Sequence, residues 1–185
     1  MRSAQRILDA AVRMIEEDGF ENVNVVAVAK AAGVSRQTVY TIFGSREDLV
    51  GQAMAVVAFD LFKDVRAGLP SDLPPGELLI ELVVMARRVV RGHPALSRLL
   101  TPGADSPFFE PRAIERALPL AGAFFREALD GLPGLDEADA LELIVRIVFS
   151  VLLMDSPAVH EDDDLRTSLR RWVLPLLVPV LGSRR

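Results

Sequence analysis

Apolar residues recur along most of this chain at the spacing of an α-helix, and this periodicity limits its fold more than any other feature. In the first segment, one helical face carries Ile7, Leu8, Ala11, Met14 and Ile15. Gly19 then stands where such a helix would end. Strand signals are nearly absent, because no window alternates apolar and polar residues for long. The sequence therefore predicts an all-α protein of about nine helices.

Stretches rich in Pro and Gly separate the predicted helices. The last helix contains Pro175 and Pro179, and an interior Pro costs a helix about 3 kcal/mol, so we expect a kink or an early end near Leu174. Two short helices are predicted within residues 24–46. The other seven cover roughly residues 3–18, 45–69, 77–91, 94–101, 111–129, 136–155 and 164–181.

The inventory of reactive side chains is small for an enzyme. The 185 residues include no Cys and 2 His, which excludes disulfides, thiolate metal sites and cysteine nucleophiles. His93 and His160 lie far apart in the sequence, and neither stands in a nucleophile–base or metal-ligand spacing. We therefore expect no enzymatic activity, no cofactor and no metal ion.

The mean hydropathy of +0.28 requires a test for membrane-spanning segments. The densest apolar runs, residues 143–154 and 172–181, are interrupted by Arg146 and by two prolines, and neither approaches about 18 uncharged residues. Charged residues are also mixed into the N-terminal apolar positions, so no signal-peptide core is present. These patterns predict a cytoplasmic protein without a membrane partner.

Residues 24–46 have the pattern of a helix-turn-helix. Asn24 can cap a two-turn helix whose small Ala residues allow close helix packing. Gly33 supplies a sharp turn, Val34 fills the angle between the helices, and Ser35 can cap the second helix. Each boundary of this segment therefore has a local physical reason.

The second helix of this pair has two different faces. At about 100° per residue, Val39, Ile42 and Phe43 share one arc and are expected to pack inward. The opposite arc consists of hydrogen-bonding residues, namely Arg36, Gln37, Thr38, Tyr40 and Thr41. Such a face suits the major groove, where Gln and Arg read base edges and hydroxyl groups hold phosphates.

The net charge of −5 argues against a nucleic-acid partner when it is taken alone. Residues 22–46, however, carry three basic residues and no acidic residue. Local charge matters more than total charge, because screening limits the reach of a phosphate to about 8–10 Å. Residues 82–104 are also free of acids, so this pattern supports DNA binding without establishing it.

At this point the sequence resembles the TetR family of bacterial transcriptional regulators. The matching segments are residues 6–11, Gly19-Phe20, and residues 28–35, 38–40 and 43–49. Ile42 departs from the family by replacing a more usual polar residue, and Arg46 stands where Lys is commoner. The resemblance implies a DNA-binding domain of residues 1–46 and a ligand-binding and dimerisation domain of residues 47–185.

The resemblance also implies a mechanism and assigns roles to residues. The recognition helix enters the major groove, the last two helices form a four-helix bundle with a second subunit, and a small molecule binds among helices 4 to 8. A homodimer implies a palindromic DNA operator. The predicted DNA-binding residues are Lys30, Ser35, Arg36, Gln37, Thr38, Tyr40, Thr41 and Arg46. The predicted dimer interface is Ile144, Val148, Val151, Leu152, Leu169, Trp172, Val173 and Leu176. The predicted pocket for a mostly hydrophobic ligand is Phe59, Phe62, Met85, Val89, Phe108, Phe109, Phe124 and Phe125.

These features favour a ligand-responsive homodimeric repressor of transcription. One alternative is an α-helical enzyme or lipid carrier whose N-terminal hairpin is purely structural. Another is a regulator that needs no ligand and acts through a protein partner. The apolar residues of the last two helices could also be buried within one monomer, and aromatic residues at helical spacing are more often core than pocket.

Overall fold

The computed structural model describes residues 2–101, 106, 109, 111–130, 132 and 136–177, except for the side chain of Val65. Within these residues the chain contains α-helices, two short 3-10 helices and no β-strand, so the all-α prediction is confirmed. The α-helices are α1 (Arg2–Asp18), α2 (Val25–Ala32), α3 (Arg36–Phe43), α4 (Arg46–Arg66), α5 (Pro75–Gly92), α6 (Pro94–Ser97), α7 (Ala113–Asp130), α8 (Glu137–Leu153), α9 (Asp162–Trp172) and α10 (Leu174–Leu177). The 3-10 helices are η1 (Phe20–Asn22) and η2 (Arg98–Leu100).

The chain divides into two compact units, one of Met1–Leu61 and Gly92–Glu110 and the other of Phe62–Arg91 and Pro111–Arg185. The predicted domain boundary after residue 46 falls inside the first unit, at the start of α4. Among the described residues, no helix has both the length and the apolar character that crossing a bilayer requires.

The first unit is built around the apolar face of α1. Ile7 and Ile15 on this face are fully buried, and α1 packs against α2 and α3. Val28 of α2 and Val39 of α3 are also buried, so the short helices are held by tertiary contacts. This core fixes the angle between the two helices of the helix-turn-helix.

A ladder of ion pairs joins α5 and α9 in the second unit. Arg170 pairs with Glu77 at 2.7 Å, and Arg166 pairs with Glu81 at 2.7 Å. At the other end, Asp162 accepts hydrogen bonds from Arg88 at 2.6 and 3.0 Å. Because the residue numbers rise on one helix and fall on the other, the two helices run antiparallel.

The last predicted helix is broken where the prolines suggested. α9 ends at Trp172, Val173 interrupts the helix, and α10 begins at Leu174. The prediction of an early end near Leu174 is therefore confirmed. Pro119 is also a helix-interior proline, and α7 continues through it to Asp130.

Three of the residues predicted for the dimer interface are buried in the core of their own chain. Ile144 is 0% exposed, Leu152 is 4% exposed and Leu169 is 3% exposed. Their side chains pack inside their own chain, and their part in a dimer interface stays a prediction. Trp172 and Leu176, in contrast, are 64% and 68% exposed, and the remaining three are half-buried, namely Val148, Val151 and Val173.

The predicted pocket residues that the structure describes are divided between the two units. Phe59 and Phe109 lie in the first unit and are exposed, and Phe108 lies outside the described residues. In the second unit, Phe62 and Phe124 pack with their ring centroids 4.5 Å apart. The other members of the second unit, Met85, Val89 and Phe125, are buried.

A cavity of about 10 Å³ in the second unit lies between α5 and the C-terminal part of the chain. Its lining is Leu79, Ile80, Val83, Leu169, Val173 and Leu174, which includes none of the predicted pocket residues. Its volume is close to that of a single water molecule. The predicted ligand pocket stays a prediction, and its described residues include both buried and exposed side chains.

Candidate nucleic-acid interface

The turn between α2 and α3 has the geometry that its residues predict. Gly33 lies in the left-handed region at φ 64°, and its N–H donates to the carbonyl of Lys30 at 3.2 Å. The next N–H, of Val34, donates to the carbonyl of Ala29 at 2.9 Å. These bonds close the C-terminus of α2 and reverse the chain into α3.

Side-chain caps fix the first residue of each helix. The Oδ1 atom of Asn24 accepts the N–H of Val26 at 2.8 Å at the start of α2. The Oγ atom of Ser35 accepts the N–H of Thr38 at 3.1 Å at the start of α3. The predicted caps at Asn24 and Ser35 are confirmed, and each contributes about 1 kcal/mol to helix stability.

The outward face of α3 presents polar groups to solvent. Gln37 and Thr41 are exposed, and the hydroxyl of Thr41 donates to the carbonyl of Gln37 at 2.9 Å. The side-chain amide of Gln37 itself makes no hydrogen bond within the described residues. Such an amide has both a donor and an acceptor, as recognition of an adenine edge requires.

Arg36 and Tyr40 form a pair one helical turn apart. The Nη2 atom of Arg36 donates to the Tyr40 hydroxyl at 3.3 Å, and the guanidinium carbon lies 5.2 Å from the ring centroid. Thr38 is half-buried, and its hydroxyl lies 2.8 Å from that of Ser35. The hydroxyl groups of this face therefore already have local partners in the free protein.

Arg46 has a structural role that sequence reasoning missed. Its Nε atom donates to the carbonyl of Val23 at 2.9 Å, and its Nη2 atom donates to the carbonyls of Phe20 and Glu21 at 3.0 and 2.8 Å. Its Nη1 atom lies 3.9 Å from a carboxylate oxygen of Glu47. No local sequence signal indicates these contacts, because the carbonyls lie more than twenty residues earlier in the chain.

A solvent-open cleft of about 480 Å³ lies beside the start of α2. The positive end of a helix and unpaired backbone N–H groups favour an anion at such a position. Glu21 contributes a negative charge to the lining, and this carboxylate is paired with Arg98 at 3.7 Å. The lining consists of Glu21, Asn22, Val23, Asn24, Val25, Val26, Arg36, Tyr40 and Arg46.

Basic residues of the N-terminal segment are largely free of acidic partners. Of the six Lys and Arg residues between positions 2 and 46, only Arg46 lies within 4.0 Å of a carboxylate oxygen among the described residues. Ion pairs are frequent in the second unit, where they occupy Arg66, Arg87, Arg88, Arg91, Arg126, Arg146, Arg166 and Arg170. The local excess of positive charge that the sequence predicts is therefore not neutralised by nearby acids.

The structure places the predicted DNA-binding residues on one region of the first unit. Lys30 is exposed at the end of α2, and Ser35, Arg36, Gln37, Thr38, Tyr40 and Thr41 lie at or after the cap of α3. Arg46 lies at the start of α4, where it is half-buried.

Ile42 corrects the prediction of an inward-facing apolar arc. Val39 and Phe43 are buried, as expected, but Ile42 is 41% exposed. Ile42 lies at the edge of the arc that packs on α1, about 60° from Val39, and the core does not extend that far around the helix.

Comparison with known proteins identifies this architecture. The sequence model of the family "Bacterial regulatory proteins, tetR family" matches residues 7–53, which contain the helix-turn-helix. The HTH-type transcriptional regulator Rv1255c of Mycobacterium tuberculosis is 27% identical over 187 residues, covering 99% of this chain and 89% of that protein. The fatty acid metabolism regulator protein of Bacillus subtilis is 42% identical over 45 residues, which covers 24% of this chain and 23% of that protein.

Solved structures match over nearly the whole chain. A TetR transcriptional regulator from Rhodococcus sp. RHA1 superposes with a TM-score of 0.62 at 26% identity, covering 95% of this chain and 94% of that one. AlkX, a TetR family repressor from Dietzia sp. implicated in biodegradation of n-alkanes, shares the fold with a TM-score of 0.59 at 24% identity, covering 94% of each chain. Residues 7–53, with their capped helix-turn-helix, match the tetR family of bacterial regulatory proteins, and the chain is similar over nearly its whole length to TetR transcriptional regulators. These findings support a DNA-binding transcriptional regulator.

Proposed function

We propose that this regulator reads its operator with the outward face of α3. The observation that carries the proposal is the side-chain amide of Gln37, which has no hydrogen-bond partner among the residues that the structure describes. This side chain is exposed on a helix whose start is fixed by the Ser35 cap. In helix-turn-helix proteins the N-terminal residues of the second helix contact base edges. Gln37 and Thr41 therefore face the bases, and Lys30, Arg36 and Tyr40 hold flanking phosphates.

In this proposal, Ser35, Thr38 and Arg46 position the elements that make these contacts. The hydroxyls of Ser35 and Thr38 hydrogen-bond each other at the start of α3, which orients the first turn of the helix. Arg46 holds η1 against the start of α4, and one edge of its guanidinium lines the cleft beside α2. A phosphate in that cleft would also be attracted by the positive end of the α2 helix dipole.

Fluorescence anisotropy on duplexes from the DNA that flanks the protein's own reading frame tests this role of α3. Gln37→Ala should weaken specific binding by about 1–3 kcal/mol and leave non-specific binding unchanged, since it removes a base contact. Gln52→Ala removes an exposed glutamine from α4 and is the matched control. Equal specific affinities for the two variants would refute this assignment of the reading face.

We also propose that the functional unit is a homodimer on a palindromic operator. Trp172 and Leu176 support this, because two large apolar side chains four residues apart are more than 60% exposed. Isolated apolar side chains are common on surfaces, but Trp is strongly enriched in interfaces. Val148, Val151 and Val173 are half-buried and would complete an apolar contact. A two-fold axis would place two copies of α3 on related half-sites.

The regulatory signal in this proposal is a mostly hydrophobic small molecule that releases the repressor from DNA. The aromatic pair of Phe62 and Phe124 in the second unit supports such a ligand, because apolar and aromatic side chains line most ligand sites. Residues 1–46 would then carry DNA binding, and residues 47–185 would carry the ligand and the dimer contact. Native mass spectrometry of protein purified from its host tests for a retained ligand, and addition of that ligand should lower operator affinity.

A further inference from the structure

Arg6 of α1 lies beside the turn of the helix-turn-helix. A Cβ atom built on Gly33 would lie 3.7 Å from the Nη1 atom of Arg6, so the guanidinium is in van der Waals range of this turn. Arg6 itself is exposed to solvent. A cation from the first helix is thereby brought to the segment that leads into α3.

No ion pair among the described residues explains the position of Arg6. Asp9 follows three residues later on the same helix, at a spacing that permits pairing. The Oδ1 atom of Asp9 instead accepts a hydrogen bond from the Nε2 atom of Gln5 at 2.9 Å. Within the described part of the chain, Arg6 has no ion pair and no side-chain hydrogen bond. Its charge and its five N–H donors remain available.

The neighbours of Arg6 favour an anion at this place. Lys30 is exposed in the last turn of α2, immediately before Gly33, and Arg36 opens α3 immediately after the turn. When the start of α3 enters the major groove, the DNA backbone passes along the elements that flank the start of this helix. Arg is well suited to such a position, because its planar guanidinium can bind a phosphate through two N–H groups.

We propose that Arg6 binds a backbone phosphate of the operator beside the turn at Gly33. This inference rests on the proposed reading face of α3, which determines where the DNA backbone runs. It extends the interface from the helix-turn-helix to α1. Because a phosphate contact carries no sequence information, Arg6 contributes equally to specific and non-specific affinity.

The salt dependence of DNA binding tests this contact. Each phosphate contact contributes about 0.9 to the slope of log K against log salt concentration. Arg6→Gln should lower that slope by about 0.9 per chain. When salt is raised from about 50 to about 200 mM, the affinity of wild type should then fall about 3.5-fold more per chain than that of the variant. Arg6→Lys should retain the slope, because it retains the charge.

Arg13→Gln is the matched control. Arg13 is also exposed, lies on the same face of α1 and has no carboxylate partner among the described residues, but it is two helical turns further along, about 10 Å away. Its replacement should leave the slope unchanged. An Arg6→Gln slope equal to that of wild type or of Arg13→Gln would overturn the proposal.

The two experiments distinguish a wrong Arg6 contact from a wrong assignment of the reading face of α3. Arg6→Gln is measured by its salt slope on non-specific duplex DNA, where Gln37 makes no specific base contact. If Gln37→Ala reduces specific affinity while Arg6→Gln leaves the slope intact, the reading face stands and the Arg6 contact is wrong. If Gln37→Ala has no effect and Arg6→Gln lowers the slope, α1 contacts DNA but the assignment of α3 is wrong.

Discussion

The Nε atom of Arg46 donates to the carbonyl oxygen of Val23 at 2.9 Å, joining the start of α4 to the segment that precedes α2. Together with the bonds to Phe20 and Glu21, this contact ties three carbonyls of η1 and of the residue after it to one guanidinium. The segment carries the Asn24 cap, so Arg46 helps to set where α2 begins. A residue that the resemblance assigns to DNA binding therefore also stabilises the fold.

Arg46→Ala should destabilise the protein as well as weaken DNA binding. Hydrogen bonds from a charged donor contribute about 1.5–3 kcal/mol each at most, and partial exposure of this cluster reduces the effect, so we expect a loss of about 1.5–3 kcal/mol in the free energy of unfolding. Urea denaturation measures this free energy of unfolding. Arg36→Ala, which removes an exposed arginine of α3, is the control and should leave stability nearly unchanged. An Arg46→Ala variant as stable as Arg36→Ala would contradict the structural role.

The exposed pair of Trp172 and Leu176 predicts where the dimer forms. Replacing both by Ser should weaken the dimer at least tenfold, because a buried Trp commonly contributes about 2 kcal/mol or more to an interface. Light scattering after size-exclusion chromatography reports the mass. Val26→Ser removes a side chain that is 56% exposed in the first unit and should leave the dimer intact. A double variant that remains dimeric would place the interface elsewhere.

Leu152→Arg should have a different effect from the exposed pair. Leu152 is 4% exposed, so an arginine there would bury a charge in the core of its own chain. We expect a loss of more than about 3 kcal/mol in stability, seen as a large fall in Tm or as insoluble protein. A folded monomer with the Tm of wild type would instead indicate that Leu152 lies at the subunit interface.

The ladder between α5 and α9 predicts a loss of stability in acid. A hydrogen bond from Arg170 holds the pKa of Glu77 below its ordinary value of 4.5. A lowered folded-state pKa stabilises the folded protein fully above the unfolded value, and this stabilisation is lost as the pH falls through the folded value. The Tm of wild type should therefore fall below about pH 4.5 more than that of Glu77→Gln, which lacks this group. Parallel Tm curves for the two proteins between about pH 6 and pH 3 would contradict the prediction.

Local signals were sufficient to predict the helix-turn-helix from the sequence. The caps of Asn24 and Ser35 bond to N–H groups two and three residues away, and the left-handed turn at Gly33 depends on its own backbone. The interruption at Val173 follows from the prolines close to it. Such features do not depend on residues distant in the sequence. The caps and the turn predicted for this segment therefore agree with the structure.

Features that depend on distant residues were not predictable in the same way. The partners of Arg46 lie 23 to 26 positions away, and the pairing of Arg170 with Glu77 spans 93 positions. The apolar residues of the last two predicted helices indicated burial, but their pattern did not distinguish a partner helix of the same chain from a second subunit. In the structure, Ile144 and Leu152 are buried in their own chain, whereas Trp172 and Leu176 are exposed.

Selection of binding sites from a pool of random duplex DNA tests most directly whether α3 reads the operator. Wild type should select a palindromic motif, and Gln37→Ala should lose preference at one position in each half-site while Gln52→Ala selects the wild-type motif. If Gln37→Ala selects the same motif as wild type with the same preference at every position, α3 does not read the bases through Gln37 and the proposed interface is wrong.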